Sequence, residues 1–210
     1  YLEEIDDIMI SFDDEIERLH YLVDNNFYFN VFEKYSEAEL SEITEYAKSI
    51  HFQFASYMSA SKFYKDYALK TNDKTKFLED YNQHVAIVAL YLANGNVKQA
   101  KQFISAMVKQ RYQPATPTFL NAGRARRGEL VSCFLLEVDD SLNSINFIDS
   151  TAKQLSKIGG GVAINLSKLR ARGEAIKGIK GVAKGVLPVA KALEGGFSYA
   201  DQLGQRPGAG

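Results

Sequence analysis

The chain has 210 residues and 23.5 kDa, with 46% hydrophobic and 24% charged residues. That is the balance of a folded protein with one large or two small domains, and it excludes a disordered chain. A single cysteine, three separated histidines (His20, His51, His84) and no apolar run near 18 residues argue against a disulfide framework, a Cys- or His-rich metal site and a membrane span. With no secretory signal at the start, the expected compartment is the cytoplasm.

The net charge of −1 hides an asymmetry. Residues 1–80 hold 18 acids and 8 bases, whereas 81–210 hold 17 bases and 8 acids. Only Gly95 of 15 glycines precedes residue 120, while 21 of the 25 Tyr and Phe residues do. Two architectures are joined here, and the second expects an anionic partner. The opening at Tyr1 and the glycine-rich finish at 204–210 suggest a piece of something longer.

Residues 1–112 read as a helical domain. Ser11-Phe-Asp-Asp14 resembles a capping box leading into Ile16, Leu19, Leu22 and Val23. Ser36-Glu-Ala-Glu39 is another, ahead of Leu40, Ile43, Ala47 and Ile50. Helical stripes cover 77–92 and 97–108, with Asn94-Gly95 as the turn between them. The acidic runs read as solvated helix surface, and the histidines as structural. Over 113–129, a connecting loop, Pro114 and Pro117 predict extended chain and Asn121-Ala-Gly123 a turn. Arg124-Ala-Arg126-Arg127 puts three guanidiniums in that loop.

From 130 onward the pattern alternates strand and helix. The near-continuous apolar run 130–138 predicts a strand buried on both faces. Asp139-Asp140-Ser141 caps a helix carrying Leu142, Ile145, Ile148, Ala152 and Leu155. Gly159-Gly160-Gly161 ends it, 162–166 is a second strand, and another helix starts near Pro188. Two strands separated by a helix imply a parallel βαβ crossover, the start of an α/β barrel or open sheet.

Cys133 has no histidine within 40 residues, so a Cys–His nucleophile has no local support. A lone Cys in a strand reads first as a small hydrophobe, and Ser132 should face the other side of that strand. The triple glycine follows a helix and enters a strand, the reverse of a phosphate-cradling turn. It suits close approach of a backbone or ligand instead. The stretch 157–191 holds eight bases and one acid, Glu174. These bases cluster past a strand end, where α/β folds bind ligands and Arg can clamp phosphate. No aromatic residue accompanies them, which weighs against single-stranded nucleic acid.

Three segments carry a resemblance. Gln113-Pro-Ala-Thr-Pro-Thr-Phe-Leu-Asn-Ala-Gly123, Gly128-Glu-Leu-Val-Ser-Cys133-Phe-Leu-Leu and Asp140-Ser-Leu-Asn-Ser-Ile145 closely resemble the large subunit of ribonucleotide reductase. The stretch from Gln154 through Gly161, Asn165 and Arg170 to Gly173, and the closing Tyr199-Ala-Asp-Gln-Leu-Gly-Gln-Arg206, are similar to its class Ib form. The resemblance implies an α/β fold: a mostly helical N-terminal domain (1–112), then over 130–210 the first β-α-β-α units of a ten-stranded barrel. It implies radical reduction of ribonucleoside diphosphates to 2′-deoxyribonucleoside diphosphates under allosteric deoxynucleoside triphosphate or ATP control. Cys133 matches one thiol of the redox pair, and Thr116, Ser132, Cys133 and Gly161 match substrate positions. Asp140, Ser141, Leu142, Arg170 and Lys177 match the effector site, and Gln202 and Arg206 the specificity loop.

Further expectations follow from the same resemblance. The radical comes from a metal-containing small subunit, so this chain binds no cofactor or metal itself. Large subunits pair as a homodimer, a glutaredoxin- or thioredoxin-like protein restores the thiols, and neither nucleic acid nor membrane is a partner. The family's radical-bearing cysteine and the second thiol of the pair match nothing in these 210 residues, so the chain alone should not turn over substrate. A non-catalytic nucleotide-binding remnant of the same fold is the alternative, and a nucleic-acid-binding domain a distant third.

Overall fold

A computed structural model describes residues 1–126, 128–200 and 210. The chain forms two compact units, Tyr1–Arg127 and Gly128–Gly210, so segment 113–127 groups with the helices before it.

The first unit contains α1 (Leu2–Asp7), α2 (Glu15–Asp24), α3 (Glu37–Ser49), α4 (Tyr57–Asp66), α5 (Tyr81–Ala93), α6 (Val97–Val108) and α7 (Thr116–Asn121). At its centre lies α5, whose YNQHVAIVALYLA sequence carries no acidic, lysine or arginine side chain and is apolar all round. Val85, Ile87, Val88 and Leu90 are buried there, against Leu40 and Ile43 of α3 and Ala100 and Ile104 of α6. Helix starts follow their capping residues. Ser36 and Glu39 form the expected reciprocal box, and so do Asp80 with Gln83 and Ser56 with Ser59. Past α5, Asn94 adopts φ 45° and Gly95 φ 95°, the left-handed turn expected between α5 and α6.

Three expectations are corrected in this unit. The cap of α2 is Asp14, which accepts from Glu17 N, and not Ser11; a box begun at Ser11 would have started the helix three residues early. The stripe at 77–92 becomes a helix only from Tyr81. Phe77 instead exchanges main-chain hydrogen bonds with Ile8 and Ile10 in an isolated parallel bridge to Met9. Residues 116–121 are helical where two prolines predicted extended chain, because Pro117 sits in the first turn, where its missing N–H costs nothing.

The second unit contains β1 (Cys133–Glu137), α8 (Leu142–Lys157), β2 (Gly161–Asn165) and α9 (Val186–Ala200). The strands pair in parallel, with Cys133 opposite Gly161 and Glu137 opposite Asn165, and α8 makes the crossover. Ser141 caps α8 by accepting from Ser144 N, and Pro188 falls in the first turn of α9. The expected doubly buried strand is corrected. β1 alternates exposed and half-buried residues, and Leu135 is 83% exposed, so the described residues cover only one face. Gly160 makes room for a neighbouring ring and for main chain: a Cβ there would press on the Phe134 ring and lie 3.0 Å from Leu155 O.

Among the described residues no helix is long and apolar enough to cross a membrane, and no group of three or more His, Cys, Asp or Glu is placed to hold a metal.

Candidate functional site

The site residues of the second unit fall at the two ends of β1. At its start, Cys133 is a free, exposed thiol. Ser132 precedes the first strand residue, so strand alternation does not govern it. Its Oγ lies 3.3 Å from Cys133 Sγ, which corrects the expectation that the two point apart. Gly161 is the register partner of Cys133 and donates its N–H to Ser132 O at 2.9 Å. A Cβ built on Gly161 would sit 4.0 Å from the sulfur, so bare main chain borders the thiol on that side. Ser132, Cys133 and Gly161 are therefore brought together.

Just past the other end of β1 lies a cavity of about 260 Å³. Asp140, Ser141 and Leu142 at the head of α8 line it together with Arg170, which follows β2. Leu142, Ile145, Leu169, Ile176 and Val189 give it apolar walls. Arg170 Nε donates to Asp140 Oδ2 at 2.7 Å, and its NH1 donates to Ala175 O at 2.8 Å. One guanidinium thus ties the loop after β2 to the head of α8. Beside them Lys168 bridges Glu137 at 3.0 Å and Asp139 at 3.2 Å, and these two carboxylates raise its ammonium above the ordinary lysine value. An acceptor, the cations Arg170 and Lys184 and apolar walls in one cavity suit a ligand with an apolar ring, a hydroxyl and phosphates.

Two cations take places that sequence reasoning did not give them. Lys177 and Gly178 both have positive φ, 52° and 84°, and sit between Ile176 and Ile179, which exchange two 3.0 Å hydrogen bonds. That is a two-residue hairpin turn of the mirror-image kind, with Lys177 exposed at its tip. Its neighbour Ile176, not Lys177, lines the cavity. Lys184 does line it, just ahead of α9, and also lines a second cavity of about 570 Å³ with Arg170 and Arg172. The only sequence signal for Lys184 was its place at the end of a basic loop directly before a helix.

Thr116 is exposed at the start of α7, in the first unit. Gln202 and Arg206 lie outside the described residues.

Cavities past the strand ends of a parallel βαβ unit are where α/β folds bind ligands, and here that unit follows a helical domain. The comparisons make this specific. The family description "Ribonucleotide reductase N-terminal" matches residues 1–52, "Ribonucleotide reductase, all-alpha domain" matches 53–127, and "Ribonucleotide reductase, barrel domain" matches 131–210. The chain belongs to the ribonucleotide reductase family, as the N-terminal region of a large (alpha) subunit.

The ribonucleoside-diphosphate reductase subunit alpha of Bacillus subtilis (strain 168) is 54% identical over 211 residues, covering all of this chain and 30% of the relative. That of Mycoplasma pneumoniae is 48% identical over 195 residues, covering 92% of the chain and 27% of the relative. The chain thus spans under a third of the length of these relatives. A solved structure, the Actinobacillus ureae class Id ribonucleotide reductase alpha subunit, matches with TM-score 0.59 at 22% identity. It covers 71% of this chain and 27% of that one, a likeness of fold. The helical domain and the start of the barrel domain, expected from the resemblance, are confirmed.

Proposed function

We propose that this chain is the front of a class Ib ribonucleoside-diphosphate reductase large subunit, holding the effector site and one redox thiol. The observation that carries this reading is the division of labour along β1. An exposed thiol flanked by Ser132 and Gly161 stands at its start, and the Asp140–Arg170 cavity lies past its end. At about 3.3 Å per residue, five residues separate the two by roughly 16 Å. Effector and substrate can then occupy opposite ends of one rigid strand, which suits control of one by the other.

In this reading Asp140 accepts hydrogen bonds from a deoxyribose hydroxyl and Arg170 meets phosphates inside the cavity, with Ser141 and Leu142 completing the cradle and Lys177 meeting phosphate from the exposed hairpin tip outside it. Thr116, Ser132, Cys133 and Gly161 contact the ribonucleoside diphosphate, and Gln202 and Arg206 relay effector identity to the substrate base. The radical comes from a metal-containing small subunit, and a glutaredoxin- or thioredoxin-like protein restores the thiols. The full subunit works as a homodimer in the cytoplasm. The class Ib assignment rests on motif similarity over Gln154 to Gly173 and Tyr199 to Arg206.

Titration of the chain with dTTP, set against a short single-stranded oligonucleotide, tests the reading. Saturable dTTP binding is expected, with little oligonucleotide affinity at physiological salt. Arg170→Ala should weaken dTTP by about 1–3 kcal/mol, the worth of a charge-assisted hydrogen bond. Preference for the oligonucleotide, falling steeply with salt, overturns the proposal; equal dTTP affinity in Arg170→Ala overturns the effector site.

A further inference from the structure

A buried polar cluster lies beneath α7. At its centre Glu79, fully buried, accepts from Leu69 N at 2.8 Å, from His84 Nδ1 at 2.8 Å, from Arg124 and from the Tyr28 hydroxyl. His84, also fully buried, reaches away from Glu79 with its other nitrogen. Nε2 lies 2.7 Å from Phe119 O, a carbonyl in the middle of α7. A carbonyl only accepts, so Nε2 donates to it.

This bond matters because α7 is short and the carbonyl it holds lies in the middle of the helix. Six residues make scarcely two turns, and a helix that short leaves most of its end groups without partners. At its two ends Phe119 N donates to Ala115 O and Ala122 N to Thr118 O, both at 3.0 Å. Its seat is α5. The Phe119 ring packs edge-on against His84 at 4.4 Å and lies near Tyr67 at 5.6 Å. One turn along α5, Gly123 presses so close to Ile87 that a Cβ would fall 2.6 Å from Ile87 Cγ1. Past it, Arg124 returns to Glu79. Thr116 stands one turn before Phe119, exposed at the free end of this fastened segment.

We infer that His84 is a positioning residue for substrate binding: through its bond to the Phe119 carbonyl it sets α7, and with it Thr116, on α5. The inference rests on the reading of Thr116 as a substrate contact given above. The imidazole serves here because it spans carboxylate and carbonyl at once, one nitrogen to each. A shorter or longer amide can reach one of the two but not both.

That contrast supplies the test. In His84→Asn the amide nitrogen falls near the position of Nδ1, keeping Glu79 and losing Phe119. In His84→Gln it falls near Nε2, keeping Phe119 and losing Glu79. Two readouts are needed. Amide hydrogen exchange on the chain itself should show α7 and residues 122–124 exchanging about tenfold faster in His84→Asn, with α3 and α6 unchanged. In the complete subunit, assayed with its small subunit, His84→Asn should raise KM for a ribonucleoside diphosphate about tenfold at nearly constant kcat, whereas His84→Gln stays close to wild type. Effector affinity should hold in both.

Unchanged α7 exchange in His84→Asn overturns the inference, and so does faster exchange with an unmoved KM. A wild-type holoenzyme without reductase activity sinks the functional reading instead, and hydrogen exchange then decides the seating of α7 alone. If His84→Asn fails to fold, His84→Gln carries the test, since it keeps the bond to Phe119 O and loses Glu79. Exchange of α7 and a KM close to wild type support the inference; a tenfold change in either overturns it.

Discussion

Glu79→Gln should lower the stability of the first unit by about 3–5 kcal/mol at neutral pH, the cost of removing one partner from a buried ion pair. Glutamine matches the shape of glutamate, so packing is preserved and charge and donor pattern change. Every group around the Glu79 carboxylate donates: Leu69 N, His84 Nδ1, both terminal nitrogens of Arg124 and the Tyr28 hydroxyl. An amide NH2 turned towards them meets donors, and Arg124, only 8% exposed, loses its counter-charge. The pH dependence has a defined sign. Burial alone would raise the Glu79 carboxyl, but Arg124 and then His84 outweigh it and hold it well below the usual carboxylate range. A lowered folded value means the stabilisation is complete above the ordinary value of 4.5 and drains away as pH falls below it. Urea unfolding at pH 7 and pH 3 should therefore show a large gap between wild type and variant at pH 7 and a smaller one at pH 3. A gap of constant size would contradict the charge argument. Glu79→Gln combined with Arg124→Met should be less damaging than Glu79→Gln alone, since it leaves no guanidinium unmatched.

This cluster also marks where the sequence stopped being readable. Helix starts were legible at Ser36 and at the head of α6, because a cap and an apolar stripe act over four or five residues. The βαβ crossover was legible for the same reason, strand, cap and glycine stop following each other along the chain. The partners of Glu79 were not: Arg124 is 45 residues away, and Tyr28 is 51. Read locally, Arg124 is one of three guanidiniums in a loop, and only the fold makes it the counter-ion of a buried acid. Phe77 misled in the same way. Its place in a helical stripe was overridden by pairing with the segment at Met9, 68 positions earlier.

At the site, the head of α8 was legible because Asp140-Ser141-Leu142 is both a cap and a motif. Lys184 was not, since nothing in a basic loop says which of its cations faces inward. Nor was the Ser132–Cys133 contact legible, because period-two alternation applies only where a strand has begun, and β1 begins at Cys133 itself.

Cys133→Ser in the complete subunit should abolish multiple turnover. In the proposed reaction each ribonucleotide takes up two electrons. A thiol pair releases two electrons and two protons as its S–S bond closes, and a dithiol reductant reopens it. Serine keeps the size of the side chain and a hydrogen-bonding group toward Ser132, but its oxygen cannot close a disulfide or accept a reductant's thiolate. Effector binding should be untouched, because the Asp140–Arg170 cavity lies at the other end of β1, roughly 16 Å away at strand rise. Retained dTTP affinity then excludes misfolding of the βαβ unit as the cause of the lost activity. The structure adds a check on the chain alone. Cys133 is its sole cysteine and is exposed, so a maleimide should label one equivalent under native conditions and none in the variant. Sustained turnover of Cys133→Ser with a dithiol reductant would remove Cys133 from the redox pair. The exposed sulfur beside Gly161 would then be a neighbour of the substrate and not its source of electrons.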